Sequence, residues 1–293
     1  MRTLLTSLAL LLLSSFVLAC ASEPSVIENT AQSDSRPTSK PTKAFDQDHA
    51  QWTAILKKHV HEDRFDYASV KKDQTALNEY LASLHAVTKA ELESWNPKQR
   101  MAFWINTYNA HVVKLVSDNY PVDSIRDLGT LLNKVWNKRF IEMKALHPSG
   151  KDKNLSLDDV EHKILRPRFL DARVHAAVNC ASDSCPPLRG EAFTAKKLDE
   201  QLDEQVRAWL ADESRNRFNL AAGKLEISEI FKWFKEDFVR DGKSVTGWIA
   251  KYAPEAVATA IQSGAKLKVS YLDYSWKLNT VSGTNPSPSE RTR

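Results

Sequence analysis

Apolar residues recur along the chain at helical spacing first and at strand spacing mainly towards the end. Leu4 to Leu18 is an apolar run broken only by Thr6, Ser7, Ser14 and Ser15. From Ser22 to Lys43 the pattern lapses into Ser, Thr, Pro, Glu and Asn with little to bury, which reads as a flexible tether. Periodicity then begins. Trp52, Ile55, Leu56 and His59 share one helix face, and Leu77, Tyr80, Leu81 and Leu84 share another. Asn96 as N-cap and Pro97 at the first helical position open a longer helix carrying Met101, Trp104, Ile105, Tyr108, Val112, Leu115 and Val116, which Tyr120-Pro121 closes. Ser156 and Asp159 cap a short helix that runs through Leu165 and stops at Pro167.

The period then changes. In Arg173 to Asn179, Val174, Ala176 and Val178 alternate with His175 and Asn179, predicting a strand in a buried sheet. Thr194 is placed to cap a helix bearing Leu198, Leu202, Val206, Trp209 and Leu210. Arg217 to Leu220 and Lys224 to Ile227 predict strands paired through a turn at Ala222-Gly223, and Ser228 is placed to cap a helix bearing Ile230, Phe231, Phe234 and Phe238. Leu267, Val269 and Tyr271 alternate as a closing strand. Helices followed by short strands indicate an α+β fold, a mostly helical single domain with a small mixed or antiparallel sheet. The expected organisation is residues 1–19 as an export signal, 20–43 as a tether, 44–279 as one globular domain and 280–293 as a tail.

Charge narrows the partners. Lys and Arg number 41 against 37 Asp and Glu, a net of +4, and no basic tract is interleaved with aromatics, so nucleic acid is not an expected partner. No cofactor is expected. The residues able to carry chemistry crowd into one stretch: Glu161, His162, His175, Asn179, Cys180, Ser184 and Cys185. Asn106 and Asn109 on the aromatic helix read as partners of buried backbone. Trp104, Trp136, Trp209, Trp233 and Phe234 read as core, and Arg126 with Asp127 as a structural ion pair.

Three resemblances extend this reading. The apolar run is too short to span a bilayer, at about 15 residues against the roughly 20 required, and it ends in Val17-Leu18-Ala19-Cys20, which resembles the lipobox of bacterial lipoproteins. That implies a cleaved signal, an acylated Cys20 and a membrane partner reached through the lipid. By analogy with lipoprotein sorting, Ala21 implies the outer membrane, facing the periplasm. Phe103 to Ala110, Ser124 to Gly129, Leu155 to His162, Val174 to Pro187, Ile230 to Phe234 and Tyr271 to Asn279 resemble the domain of unknown function 547 family. More distantly, a polar-bearing long helix followed by Val174-His175-Ala176-Ala177-Val178 resembles papain-like cysteine peptidases. This implies a histidine base with a thiol nucleophile, acting as a hydrolase or acyltransferase on an envelope peptide. Here the long helix has no cysteine and the thiols follow the histidine, so either Cys180 or Cys185 folds back to His175 or the fold has lost its nucleophile.

The residues themselves leave alternatives open. His175 and Cys180, five apart on a straight strand, would face opposite sides, so a bend after Asn179 is required. Glu161 and His162 would point about 100° apart on a helix, so only one of them could face the site squarely. In an oxidising compartment Cys180 and Cys185 are also placed to form a disulfide, which would make the domain a noncatalytic binding module. By residue type alone the cysteines and histidines would also suit a tetrahedral metal, although their spacing matches no standard finger.

Overall fold

The computed structural model describes residues 44–281. The apolar run, Cys20, the tether and the tail beyond Val281 lie outside the described residues. The first half is helical: α1 Ala50–His59, α2 Tyr67–Lys72, α3 Thr75–His85, α4 Lys89–Ser94 and α5 Pro97–Asn119. A two-stranded antiparallel ribbon, β1 Val60–His61 with β2 Arg64–Phe65, joins α1 to α2. Asn96 and Gln99 form the reciprocal capping box that starts α5, with Pro97 in its first turn. α5 is buried over most of its length, including Asn106, Thr107, Asn109 and His111. It is therefore the central strut, packed on all sides and not amphipathic.

Ser156 and Asp159 close a second capping box at the start of α6, Leu157–Val160. The helix does not stop at Pro167. It widens into a π turn, Glu161–Leu165, and continues as α7, Arg166–Phe169, with Pro167 in the first turn. The π turn lies just before Pro167, where a proline cannot donate to the preceding turn and a regular α-helix would be interrupted.

Arg173 to Asn179 is not a strand. Val174–Ala177 form a single helical turn, α8, and only Val178 onwards is extended. Asp171 is the cause: its carboxylate accepts from the Arg173 N–H at 2.9 Å and its carbonyl from the Val174 N–H at 3.2 Å, so the chain is already turning before the apolar residues begin. The apolar alternation arises because α8 is buried on both sides. Ala172 and Ala176 join one core cluster, while Val174, Ala177 and Val178 join the other. A short apolar run reads the same in a buried strand or a buried helix.

α9, Leu198–Ala211, begins after Lys197, with no side-chain cap from Thr194, whose carbonyl accepts from the Lys197 N–H in the preceding turn. β3 Arg217–Asn219 and β4 Lys224–Ile227 pair antiparallel through a turn in which Gly223 adopts φ +61°. β5 Lys268–Tyr271 adds to β4 in parallel, making a three-stranded mixed sheet. The helix after Ser228 is broken at Phe234 into α10 Ile230–Trp233 and α11 Lys235–Gly242, and α12 Val245–Ile249 and α13 Glu255–Gln262 precede β5. The architecture is a mostly helical α+β domain. One core forms around α1, α3 and α5, and a second lies between α9, the sheet and α11, with α8 at the seam.

Candidate functional site

A cleft of about 320 Å³ opens at that seam. Glu161, His162, His175, Cys180 and Cys185 all line it, together with Tyr108 of α5. Sequence positions spread over the π turn, α8 and the loop that follows are thus brought to one surface. The π turn explains how the adjacent Glu161 and His162 both reach it, since a wider turn reduces the angle between successive side chains. Asn179 does not line the cleft. Its amide donates to the Pro186 carbonyl at 2.8 Å and its oxygen accepts from the Ala181 N–H at 2.8 Å, so it braces the cysteine loop from beneath. Asn109 holds the preceding residue pair: its amide donates to the Ala177 carbonyl at 2.9 Å and its oxygen accepts from the Asn179 N–H at 2.8 Å. Asn106 makes the same two-way clasp on the Phe193 backbone.

The bend after Asn179 is present. Ala181 takes φ +60°, a left-handed conformation that costs a residue with a Cβ about 1 kcal/mol. The loop is held in it from two directions. Arg215, buried, donates from Nε to the Cys185 carbonyl at 2.7 Å and from Nη2 to the Asp183 carbonyl at 2.9 Å. The closing segment of the chain runs alongside: Asp183 N–H donates to the Lys277 carbonyl at 2.7 Å, Ser275 N–H to the Ser184 hydroxyl at 2.8 Å, and Asn279 N–H to the Ala181 carbonyl at 3.1 Å.

Both cysteines are free thiols, with their sulfurs 2.7 Å apart. Cys185 is buried and Cys180 half-exposed. Burial pushes the Cys180 thiol upward, but hydrogen bonds from Cys185, from Ser182 Oγ at 3.2 Å and from Tyr274 Oη at 3.3 Å outweigh it and bring the thiol down to about 7. Cys185 moves the other way, held well above its ordinary value by burial and by its neighbour's charge. One thiol is therefore ready to ionise near neutrality and the other is not.

His175 is fixed by a residue that sequence reasoning missed. Its Nε2 lies 2.8 Å from Asp237 Oδ2, and its ring stacks on Phe234 at 4.1 Å between centroids. Asp237 also accepts from Arg166 Nε at 2.6 Å and Arg240 Nη1 at 2.9 Å. Burial alone would raise that carboxyl, but the His175 and Arg166 contacts hold it far below the ordinary range, so it is ionised and accepts the Nε2 proton. Burial pushes His175 itself below its ordinary value despite Asp237. A neutral ring with Nε2–H on Asp237 keeps its lone pair on Nδ1. Burial also raises the Glu161 carboxyl, which hydrogen-bonds Tyr108. His162 pairs with Arg166 Nη1 at 2.8 Å.

The rest of the wall is aromatic. Trp136, Trp233, Phe234, Tyr274 and Trp276 line the cleft, with Trp233 and Trp276 stacked at 5.9 Å and Tyr274 4.7 Å from each. Trp104 and Trp209 are core residues, but Trp136, Trp233 and Phe234 are not core alone. Arg126 and Asp127 do not pair: Arg126 lies 5.3 Å over the Trp276 ring, and Asp127 accepts from the Ser124 N–H. Among the described residues no cluster of three or more His, Cys, Asp or Glu side chains is arranged to hold a metal ion.

A half-exposed thiol of lowered pKa, a buried second thiol and a carboxylate-bound histidine in one aromatic cleft define a class, a mostly helical α+β domain built around a thiol site. A family model described as a protein of unknown function, DUF547, matches residues 92–210 of the chain. The matched stretch contains α5, the π turn, α8 and the cysteine loop, whereas Asp237, Trp233, Tyr274 and Trp276 lie beyond it. No curated protein and no solved structure matches the chain.

Proposed function

We propose that the domain is a thiol-dependent hydrolase or acyltransferase with Cys180 as nucleophile, acting on a peptide of the cell envelope. The observation that carries this reading is the meeting of Cys180, lowered to about 7, with His175 and its Asp237 partner in a single cleft. The Cys180 thiolate attacks the substrate carbonyl. Glu161, its carboxyl raised by burial, gives a proton to the departing group, leaving a thioester on Cys180. His175 Nδ1 then takes a proton from water or from an acceptor amine as that molecule attacks the thioester, releasing the acyl product and restoring the thiol. Among the described residues no hydrogen bond joins His175 to Cys180, whose sulfur bonds to Cys185, Ser182 and Tyr274.

The test is an acyl adduct. With p-nitrophenyl acetate, the reduced full chain should form an acetyl adduct confined to Cys180, and His175→Ala should prolong its lifetime. Absence of an adduct at Cys180, with both thiols alkylating only near their ordinary value, overturns the reading. The 2.7 Å between the sulfurs favours a second reading, in which oxidation joins Cys180 to Cys185 and the aromatic cleft binds an envelope ligand without turnover. A mature chain isolated with no titratable thiol would select it. For the address, the lipobox-like Val17-Leu18-Ala19-Cys20 supports a lipid-anchored protein of the envelope.

A further inference from the structure

Residues 130 to 133 form a tight turn with Leu131 and Leu132 at its tip. The Thr130 N–H donates to the Asn133 carbonyl and the Asn133 N–H to the Thr130 hydroxyl, both at 2.9 Å, so the turn is closed on both sides. Its base is tight as well. A Cβ on Gly129 would come within 2.6 Å of the Val135 nitrogen, and Val135 is buried. On this braced stem the two leucines are 102% and 101% exposed, while the other exposed large hydrophobics among the described residues, Leu170, Trp233 and Tyr271, do not exceed 57%. Single exposed leucines are ordinary, but two adjacent ones that touch nothing mark a contact surface.

We infer that this tip inserts into the headgroup region of an anionic bilayer. Its shape argues against a protein partner, since a stable interface buries about 800 Å² on each side, and the tip offers two side chains with no apolar plain around them. A bilayer requires no matching surface and receives a small apolar projection directly. The charges agree. Exposed Arg126 and Lys134 line the hollow beside the tip, against one acid, Asp127, already engaged with Ser124, and the whole chain carries +4. Basic residues next to an inserted apolar tip are drawn to anionic headgroups. That hollow shares Trp136 and Trp276 with the thiol cleft, so seating the tip would hold the mouth of the cleft against the membrane. The inference depends neither on acylation of Cys20 nor on reactivity of Cys180.

Hydrogen exchange resolved to peptides tests it in the full chain, because other segments can sediment with vesicles but only the tip reports at residues 129–135. With phosphatidylethanolamine–phosphatidylglycerol vesicles, exchange there should slow at least about fivefold, and Leu131→Ser combined with Leu132→Ser should abolish the effect with no change in melting temperature. Tip exchange that stays unchanged on these vesicles overturns the inference. So does protection that arises without lipid and grows with protein concentration, which would assign the tip to a second copy of the chain.

Discussion

The Tyr274 hydroxyl sits 3.3 Å from the Cys180 sulfur and 2.9 Å from the Ser182 hydroxyl, joining the ends of an aromatic wall and a thiol loop 94 residues apart in sequence. The sulfur's hydrogen-bond partners are thus hydroxyls, the Ser182 backbone and a second thiol.

Tyr274→Phe removes one of those partners while keeping the ring in the wall. The Cys180 thiol should climb from about 7 towards the ordinary 9.0, and a rise of one unit lowers the thiolate fraction at pH 7 about fivefold. Iodoacetamide rates measured against pH will show it. An unchanged midpoint in Tyr274→Phe would mean that the hydroxyl does not act on the thiol.

Asp237→Asn should change chemistry and stability together. Without the carboxylate, His175 loses the partner that fixes its tautomer, and Arg166 and Arg240 lose their shared counter-ion. Both arginines reach solvent, so the expected loss is about 1–3 kcal/mol and not the full cost of stranding a buried charge. Urea unfolding measures it. The depressed Asp237 carboxyl contributes stability that is fully present above the ordinary 3.8 and is lost as pH falls towards its folded value. The variant should therefore lose less on acidification than the parent.

Acid sensitivity should begin well above that range because of two buried histidines. Burial lowers His49 from 6.5 to about 4 and His111 from 6.5 to about 3. As pH falls, the unfolded chain takes these protons first. Neither group affects stability above pH 6.5, and both reduce it below, His49 down to pH 4 and His111 down to pH 3. Each adds a slope of about 1.4 kcal/mol per pH unit within its window. Chemical unfolding at pH 7, 6, 5 and 4 gives the slope, and His111→Leu should flatten it.

Asn109→Ala strands two buried backbone groups, the Ala177 carbonyl and the Asn179 N–H. A loss of about 2–4 kcal/mol is expected, and Cys185 should become more open to alkylation as the loop loosens. A cost under about 0.5 kcal/mol would show that the clasp is dispensable.

Cys20→Ser tests the address. If Cys20 is acylated, the variant should leave the membrane fraction and keep its apolar leader, and continued processing would defeat the lipoprotein reading. Attraction of Arg126 and Lys134 beside the Leu131–Leu132 tip to anionic headgroups is screened by salt, so the release assay belongs in high salt.

How much of this was written visibly in the chain depends on the range of the interactions. The caps at Asn96 and Ser156 and the turn at Gly223 are decided within four residues, and all are legible. The strand-like alternation of Val174 to Val178 misleads because it reflects burial on two sides, a property of the tertiary fold that period alone does not reveal. Glu161, His162, His175, Cys180 and Cys185 stood out by type and crowding. Asp237 did not, because Lys235-Glu236-Asp237 looks like any solvated first turn, and its partner His175 is 62 residues earlier. Arg215 was hidden among charged neighbours in the same way. Tyr274 lies within the family-like Tyr271 to Asn279 segment, but nothing local says that its hydroxyl meets a sulfur.

The strap formed by Ser275 to Asn279 has a consequence for timing. The cysteine loop hangs on the Ser275, Lys277 and Asn279 backbone, and Asn279 also accepts from the Tyr67 hydroxyl. During synthesis, a nascent chain that has made both cysteines must add almost a hundred residues before the strap can join Asn179 and Arg215 in holding the left-handed bend at Ala181. Until Tyr274 emerges, Cys180 lacks the hydroxyl that lies 3.3 Å from its sulfur, so the surroundings of the thiol are finished only once the domain is nearly complete.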